Sequence, residues 1–127
     1  MSLQTWKDEF YSDPNVKMTK KQVIQHSLKK WTGLRKENLE KHDCRYNGSR
    51  GQIEDGYDEP LGIDTGSCAL CVKYLNWDAD INNVCRKCPL YESLGEQCDA
   101  YGNSPFQIWI GTHDPEPMIE ALEKLLK

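Results

Sequence analysis

The feature that most limits what this chain can become is a pair of cysteine knuckles. Cys68-Ala69-Leu70-Cys71 and Cys85-Arg86-Lys87-Cys88 form a Cys-x2-Cys-x13-Cys-x2-Cys array in a chain of 127 residues. Two residues between thiols let one turn of backbone offer both sulfurs to one ion, and four thiolates close a tetrahedral shell. The spacer is shorter than the roughly 15–20 residues usual between paired knuckles, so the return path must be tight. A hairpin over Val72–Leu75, turning at Asn76–Asn83, is the expected route back to Cys85. The shell fits structural Zn2+, with iron the chemical substitute. Cys98, separated from Cys88 by nine residues, is the alternative ligand for Cys68.

A staple is needed because the apolar core is sparse. Leu, Ile, Val and Phe make up 25 of the 127 residues, close to the roughly 20% level below which charged chains fail to fold. The length suits one domain. A shell closed by four sulfurs leaves no open coordination position, so the metal would supply folding free energy rather than Lewis-acid chemistry. Redox use of the pairs is the weaker reading, because neither is expected to open a helix in a thioredoxin-like pattern. Cys44, two residues after His42, reads as a buried small apolar group or a free thiol. His113 reads as a polar loop residue and His26 as a solvated one.

Charge is divided along the chain. The net charge of −4 splits into +5 over residues 1–50 and −9 over residues 51–127, and no acidic residue falls between Pro14 and Lys36. Lys20, Lys21, Lys29, Lys30, Arg35 and Lys36 are therefore the candidate phosphate contacts of a nucleic-acid-binding face, with Trp31 or Tyr46 for stacking. The same cations can instead pair with the chain's own Glu54, Asp55, Asp58, Glu59 and Asp64.

Local signals divide the domain into segments. Residues 1–18 read as an N-terminal arm pinned by Trp6, Phe10 and Tyr11. Residues 19–42 read as helical: Thr19-x-x-Gln22 is a capping box, Met18 and Val23 fit a hydrophobic staple, and Val23, Ile24, Ser27, Leu28 and Trp31 share a stripe. Gly33 is the expected C′ stop, and Arg35–His42 a shorter helix with Glu37 paired to Lys41. Residues 43–67 read as a Gly-rich acidic loop, residues 68–98 as the metal-knuckle region, and residues 104–127 as a strand at Phe106–Ile110 followed by a helix. That helix should open with Asp114 as N-cap and Pro115 at N1, burying Met118, Ile119, Leu122, Leu125 and Leu126. The fold class is thus α+β, a small single domain with a four-cysteine metal knuckle and hairpin at its centre, flanked by amphipathic helices.

Two enzyme-like strings fail on context. Leu61-Gly62-Ile63-Asp64-Thr65-Gly66-Ser67 has the look of an aspartic-protease loop, but cysteines follow where that family continues a strand. Asp78–Asn83 opens like a calcium loop without its glycine or its bidentate glutamate. The N-terminus lacks the apolar core of a signal peptide, which points to the cytoplasm, and no apolar run is long enough for a membrane span.

The combination of Glu9-Phe10-Tyr11, His26-Ser27-Leu28-Lys29-Lys30-Trp31-Thr32-Gly33-Leu34-Arg35, Glu37-Asn38-Leu39, Ser67-Cys68-Ala69-Leu70-Cys71, Cys85-Arg86-Lys87-Cys88-Pro89-Leu90, Cys98 and Ser104-Pro105-Phe106-Gln107-Ile108-Trp109 resembles a family of short phage and prophage proteins. The resemblance spans nearly the whole chain and implies a viral source and a host-cytoplasmic setting. It includes Cys98 in the pattern and leaves Cys44 out. Together these features lead to the expectation of a zinc-stabilised, non-enzymatic accessory protein that contacts a host or viral protein. A zinc-ribbon-like nucleic-acid binder is the alternative.

Overall fold

A computed structural model describes residues 2–12, 17–46, 52–57, 59–63, 69–74, 88–94 and 104–126. In chain order the elements are α1 (Leu3–Phe10), α2 (Lys20–Gly33), α3 (Lys36–Lys41), β1 (Arg45–Tyr46), β2 (Gln52–Glu54), β3 (Leu61–Gly62), α4 (Ala69–Tyr74), α5 (Pro89–Leu94), α6 (Pro105–Thr112) and α7 (Glu116–Leu125). A mixed helical domain with a small antiparallel sheet results, which agrees with the α+β class. Among the described residues, no helix is long and apolar enough to cross a membrane.

The first eighteen residues are not simply an arm. Ser2 and Thr5 form a reciprocal capping box that opens α1, and Leu3, Trp6 and Phe10 put their side chains on its buried face. Spacings of three and four residues place those three on one stripe. Trp6 lies fully buried, and its Nε1 donates to the Gly33 carbonyl at 2.8 Å.

Helix α2 is the centre of the assembly and packs against α1, α3, α4 and α7. Its start follows the capping box, since Thr19 Oγ1 accepts from the Gln22 amide and Gln22 Oε1 accepts from the Thr19 amide. Val23, Ile24, Ser27 and Trp31 are buried as the stripe requires, but so are His26, Lys30 and Gly33. The helix is covered on more than one side, which removes His26 and Lys30 from the solvated face that the stripe implies. Gly33 lies inside the helix, and Leu34, the residue that caps it, has ordinary right-handed geometry. The glycine is needed for space instead: a Cβ there would stand 2.5 Å from Phe10 Cγ and 2.7 Å from Phe10 Cβ.

The glycine-rich segment carries a three-stranded meander rather than only loop. Arg45 and Tyr46 pair with Glu54 and Ile53, and Gln52 and Ile53 pair with Gly62 and Leu61. Ile53, in the middle strand, is fully buried and ties the sheet to the core. Such short strands leave little periodicity to read, and their pairing partners are supplied by the fold.

Both expected strands outside this region are helices. Residues 72–74 belong to α4, which removes the first arm of the hairpin between the knuckles; its turn at residues 76–83 lies outside the described residues. Phe106–Ile110 belongs to α6, begun by Ser104 and Pro105, because Trp109 turns into the core and meets Trp31 edge-on at 5.2 Å. Aromatic and β-branched content points to a strand, and tertiary contact overrides it. The last helix starts one residue later than expected, with Pro115 as N-cap, and Asp114 Oδ1 accepts from the Glu116 amide at 3.0 Å. Met118, Ile119, Ala121 and Leu122 are buried, while Leu125 is half-buried and Leu126 exposed. The Glu37–Lys41 pairing gives way to Lys41–Glu9.

Gly33→Ala gains helix propensity worth about 1 kcal/mol, but overpacking against the fixed base of the Phe10 ring costs about 1–3 kcal/mol. Urea denaturation should show a net loss of stability, partly restored when Phe10→Leu is added.

Candidate functional site

Of the candidate zinc ligands, Cys88 is buried immediately before α5, and Cys71 lies within α4. Cys68, Cys85 and Cys98 lie outside the described residues. Helix α4 begins at Ala69, which puts Cys71 in its first turn. The Tyr74 hydroxyl is held above its ordinary value, first by burial and then by the Cys88 sulfur, so the end of α4 and the start of α5 are close in space. Among the described residues, no three His, Cys, Asp or Glu stand together as a metal-binding group.

The basic segment does not present one continuous face. Lys20, Lys21 and Lys36 are exposed and Lys29 lines a cleft, but Lys30 is 1% exposed with its ammonium 5.5 Å from the Trp31 ring centroid. Arg35 forms a two-pronged pair with Glu116, Nε to Oε1 at 2.7 Å and Nη2 to Oε2 at 3.1 Å. Its guanidinium pKa is raised chiefly by that hydrogen bond. Lys30 is thereby withdrawn as a phosphate contact, and Arg35 already has an anion. The two aromatic candidates are also engaged, Trp31 in the core and Tyr46 donating its hydroxyl to the Leu34 carbonyl at 2.6 Å. Trp109 Nε1 donates to the Tyr46 oxygen at 3.3 Å, and the exposed His113 stacks on the Tyr46 ring at 4.1 Å. Burial is the main cause that raises the Tyr46 pKa.

Two polar arrangements have no counterpart among the sequence motifs. The first joins α1 to the end of α3. His42 is buried; its Nδ1 hydrogen-bonds Thr5 Oγ1 at 2.9 Å, and its Nε2 donates to Glu9 Oε2 at 2.6 Å. Lys41 Nζ donates to both Glu9 oxygens at 3.0 and 3.2 Å. The order hydroxyl, imidazole, carboxylate is that of a hydrolytic triad. Here, however, the Thr5 hydroxyl donates to the Ser2 carbonyl at 2.8 Å and accepts from the Ser2 amide at 2.9 Å. The group is committed to the helix cap, so the arrangement acts as a clasp between helices. No motif links positions 9 and 42; only the Ser2-x-x-Thr5 cap is legible in the sequence.

The second arrangement is the turn after β2. Asp55 is buried, its Oδ2 accepting from the Leu3 amide at 2.7 Å and its Oδ1 from the Tyr57 amide at 2.8 Å. One carboxylate therefore satisfies the first free N–H of α1 and shapes a turn through Gly56, whose φ is +87°. A negative group at a helix N-terminus is favoured by the helix dipole. Tyr57, at the tip, is 94% exposed.

The chain matches no family model, no curated protein and no solved structure at a significant level.

Two consequences can be measured. Glu9 is held below the ordinary carboxylate value of 4.5, first by its hydrogen bond to Lys41 and then by that to His42. A depressed folded-state pKa contributes stability in full above the unfolded value, and that stability is lost as pH falls through the folded one. The stability difference between the native chain and Glu9→Gln should accordingly shrink between pH 7 and pH 3 in denaturation curves. Separately, burial first, then Asp55 and Asp43, push the Cys44 thiol up to about 11. At pH 8 only about one thiol in a thousand is then ionised. Peptide mapping after iodoacetamide treatment should find Cys44 unmodified in the native protein and modified in urea.

Proposed function

We propose that this protein is a small binding module without catalytic chemistry of its own, a phage-type accessory factor of the host cytoplasm that engages a protein partner. Its cysteine-rich half is closed by one structural zinc ion. The carrying observation for partner binding is Tyr57, 94% exposed on a turn that a buried carboxylate fixes from below. A single exposed aromatic is ordinary; one whose backbone is pinned in place has already lost much of the entropy that binding would otherwise remove. Tyrosine is also among the residues that most often anchor interfaces. Glu59 beside it is exposed and Glu54 half-buried, which favours a partner with an apolar pocket and a basic rim.

Zinc is supported by the four-thiol spacing and by the burial of Cys88 near Tyr74. Cys68, Cys71, Cys85 and Cys88 are the assigned ligands, with Cys98 the substitute for Cys68. The metal would add folding free energy to a chain of sparse apolar content.

Native mass spectrometry with elemental analysis, on protein purified without added metal, should find one zinc. Cys68→Ser should lose it, and Cys98→Ser and Cys44→Ser should keep it; absence of zinc from the native protein would overturn the staple. For the partner, p-benzoylphenylalanine placed at position 57 in bacterial cells should give one discrete cross-linked product that the same probe at position 21 does not give. Tyr57→Ala should weaken that complex by about 2 kcal/mol with an unchanged Tm. Identical cross-linking from both positions, or none from 57, would remove the turn as the binding surface.

A further inference from the structure

A cleft lies between the C-terminal half of α1 and the middle of α2, and neither Tyr57 nor a described cysteine lines it. Lys7, Asp8 and Tyr11 face His26 and Lys29 across it, and its volume is about 80 Å3. A water molecule occupies about 30 Å3 in the liquid, so the space takes two or three waters or one small polyatomic ion.

The wall is cationic in a chain whose net charge is −4. Lys7 and Lys29 form no ion pair with a carboxylate among the described residues, whereas Lys36, Lys41 and Arg35 each have one. The one acid in the wall, Asp8, keeps its negative charge while accepting from Gln4 Nε2 at 2.9 Å, so it offsets one of the two ammoniums. His26 lies beneath them, nine-tenths buried. Since the Ser12 carbonyl can only accept, the 2.5 Å contact requires the proton on Nε2. Nδ1, which carries no proton in this tautomer, is left as a buried acceptor without a hydrogen-bond partner and takes no part in holding an anion. The Tyr11 ring, edge-on at 5.4 Å, holds the imidazole in this orientation. Two ammoniums without an ion-pair partner against the single carboxylate of Asp8 leave the wall with a net charge of +1, which favours a compact anion. Phe10 and Tyr11 form apolar walls that lower the local dielectric and strengthen this preference.

We propose that this cleft binds a tetrahedral oxyanion of phosphate size, with Lys7 and Lys29 as its ammonium donors and the His26 ring closing its floor. The two lysines come from different helices, so the bound anion would also bridge α1 to α2.

The test is a titration of the full-length protein with inorganic phosphate, followed by 1H–15N NMR at constant ionic strength. Sodium sulfate serves as a second tetrahedral dianion and sodium chloride as the control. Saturable shifts should appear at the Lys7–Ser12 amides, at His26–Lys29 and in the His26 ring, with phosphate and sulfate but not chloride. Each lost charge-assisted hydrogen bond is worth about tenfold in affinity, so Lys7→Ala plus Lys29→Ala should abolish saturation while leaving the spectrum folded. Lys20→Ala plus Lys21→Ala, which removes exposed cations elsewhere on α2, should leave the affinity unchanged. Linear shifts without saturation, an equal response to chloride, or an equal loss in the Lys20/Lys21 variant would overturn the site.

Discussion

The close crossing of α1 over the end of α2 is the contact on which the rest of the described structure depends. Trp6 sits under it, giving its indole N–H to the Gly33 carbonyl, and Phe10 packs where any side chain at position 33 would stand. A backbone carbonyl near a helix end lacks an intrahelical partner, and the buried indole N–H needs an acceptor. Each satisfies the other. With that crossing in place, Glu9 is carried to Lys41 and His42, and Tyr11 and Ser12 are carried to His26. The first amide of α1 meets the Asp55 carboxylate. The interhelix clasp, the cationic cleft and the Tyr57 turn are thus three outcomes of one docking event.

Buried polar groups are unusually important for a domain of this size. Asp55, His42, His26 and Lys30 are all nine-tenths or more buried. Burying such groups is unfavourable unless partners are found, and several of the bonds they make run between segments distant in sequence. Asp55 reaches Leu3, and His42 reaches Thr5 and Glu9. In a chain poor in Leu, Ile, Val and Phe, these bonds supply part of the orientation that a larger apolar core would impose. They restrict which packings satisfy every group, even where their net contribution to stability is modest.

The parts of the fold that can be read from the chain alone are those governed by a few adjacent residues. The Thr19–Gln22 box, the Val23–Ile24–Ser27–Trp31 stripe and the Met118–Ile119–Leu122 face all stand where local rules place them. The expectations that fail share a cause. Phe106–Ile110 has strand-like composition, but helix α6 sets Trp109 edge-on to Trp31 and gives its N–H to Tyr46. Lys30 and His26 occupy the polar side of an ideal amphipathic helix, but further elements cover that side. The helix at Leu3–Phe10 is harder to see because its capping box has Thr5 at N3 in place of the Glu or Gln of the usual form.

The sequence by itself determined the four-thiol spacing, the division of charge between the halves and the amphipathic order of the two longest helices, since each is set by residue type and separation alone. The tertiary structure decided which charged groups face water and which face each other. Arg35 meets Glu116, Glu9 meets His42 and Lys41, and Asp55 meets α1, over separations that carry no local periodicity. It also decided that Lys7 and Lys29 share a cleft, for a reason that is physical. Electrostatic partners are chosen by distance in space, and that distance exists only once Trp6 has brought α1 down onto α2.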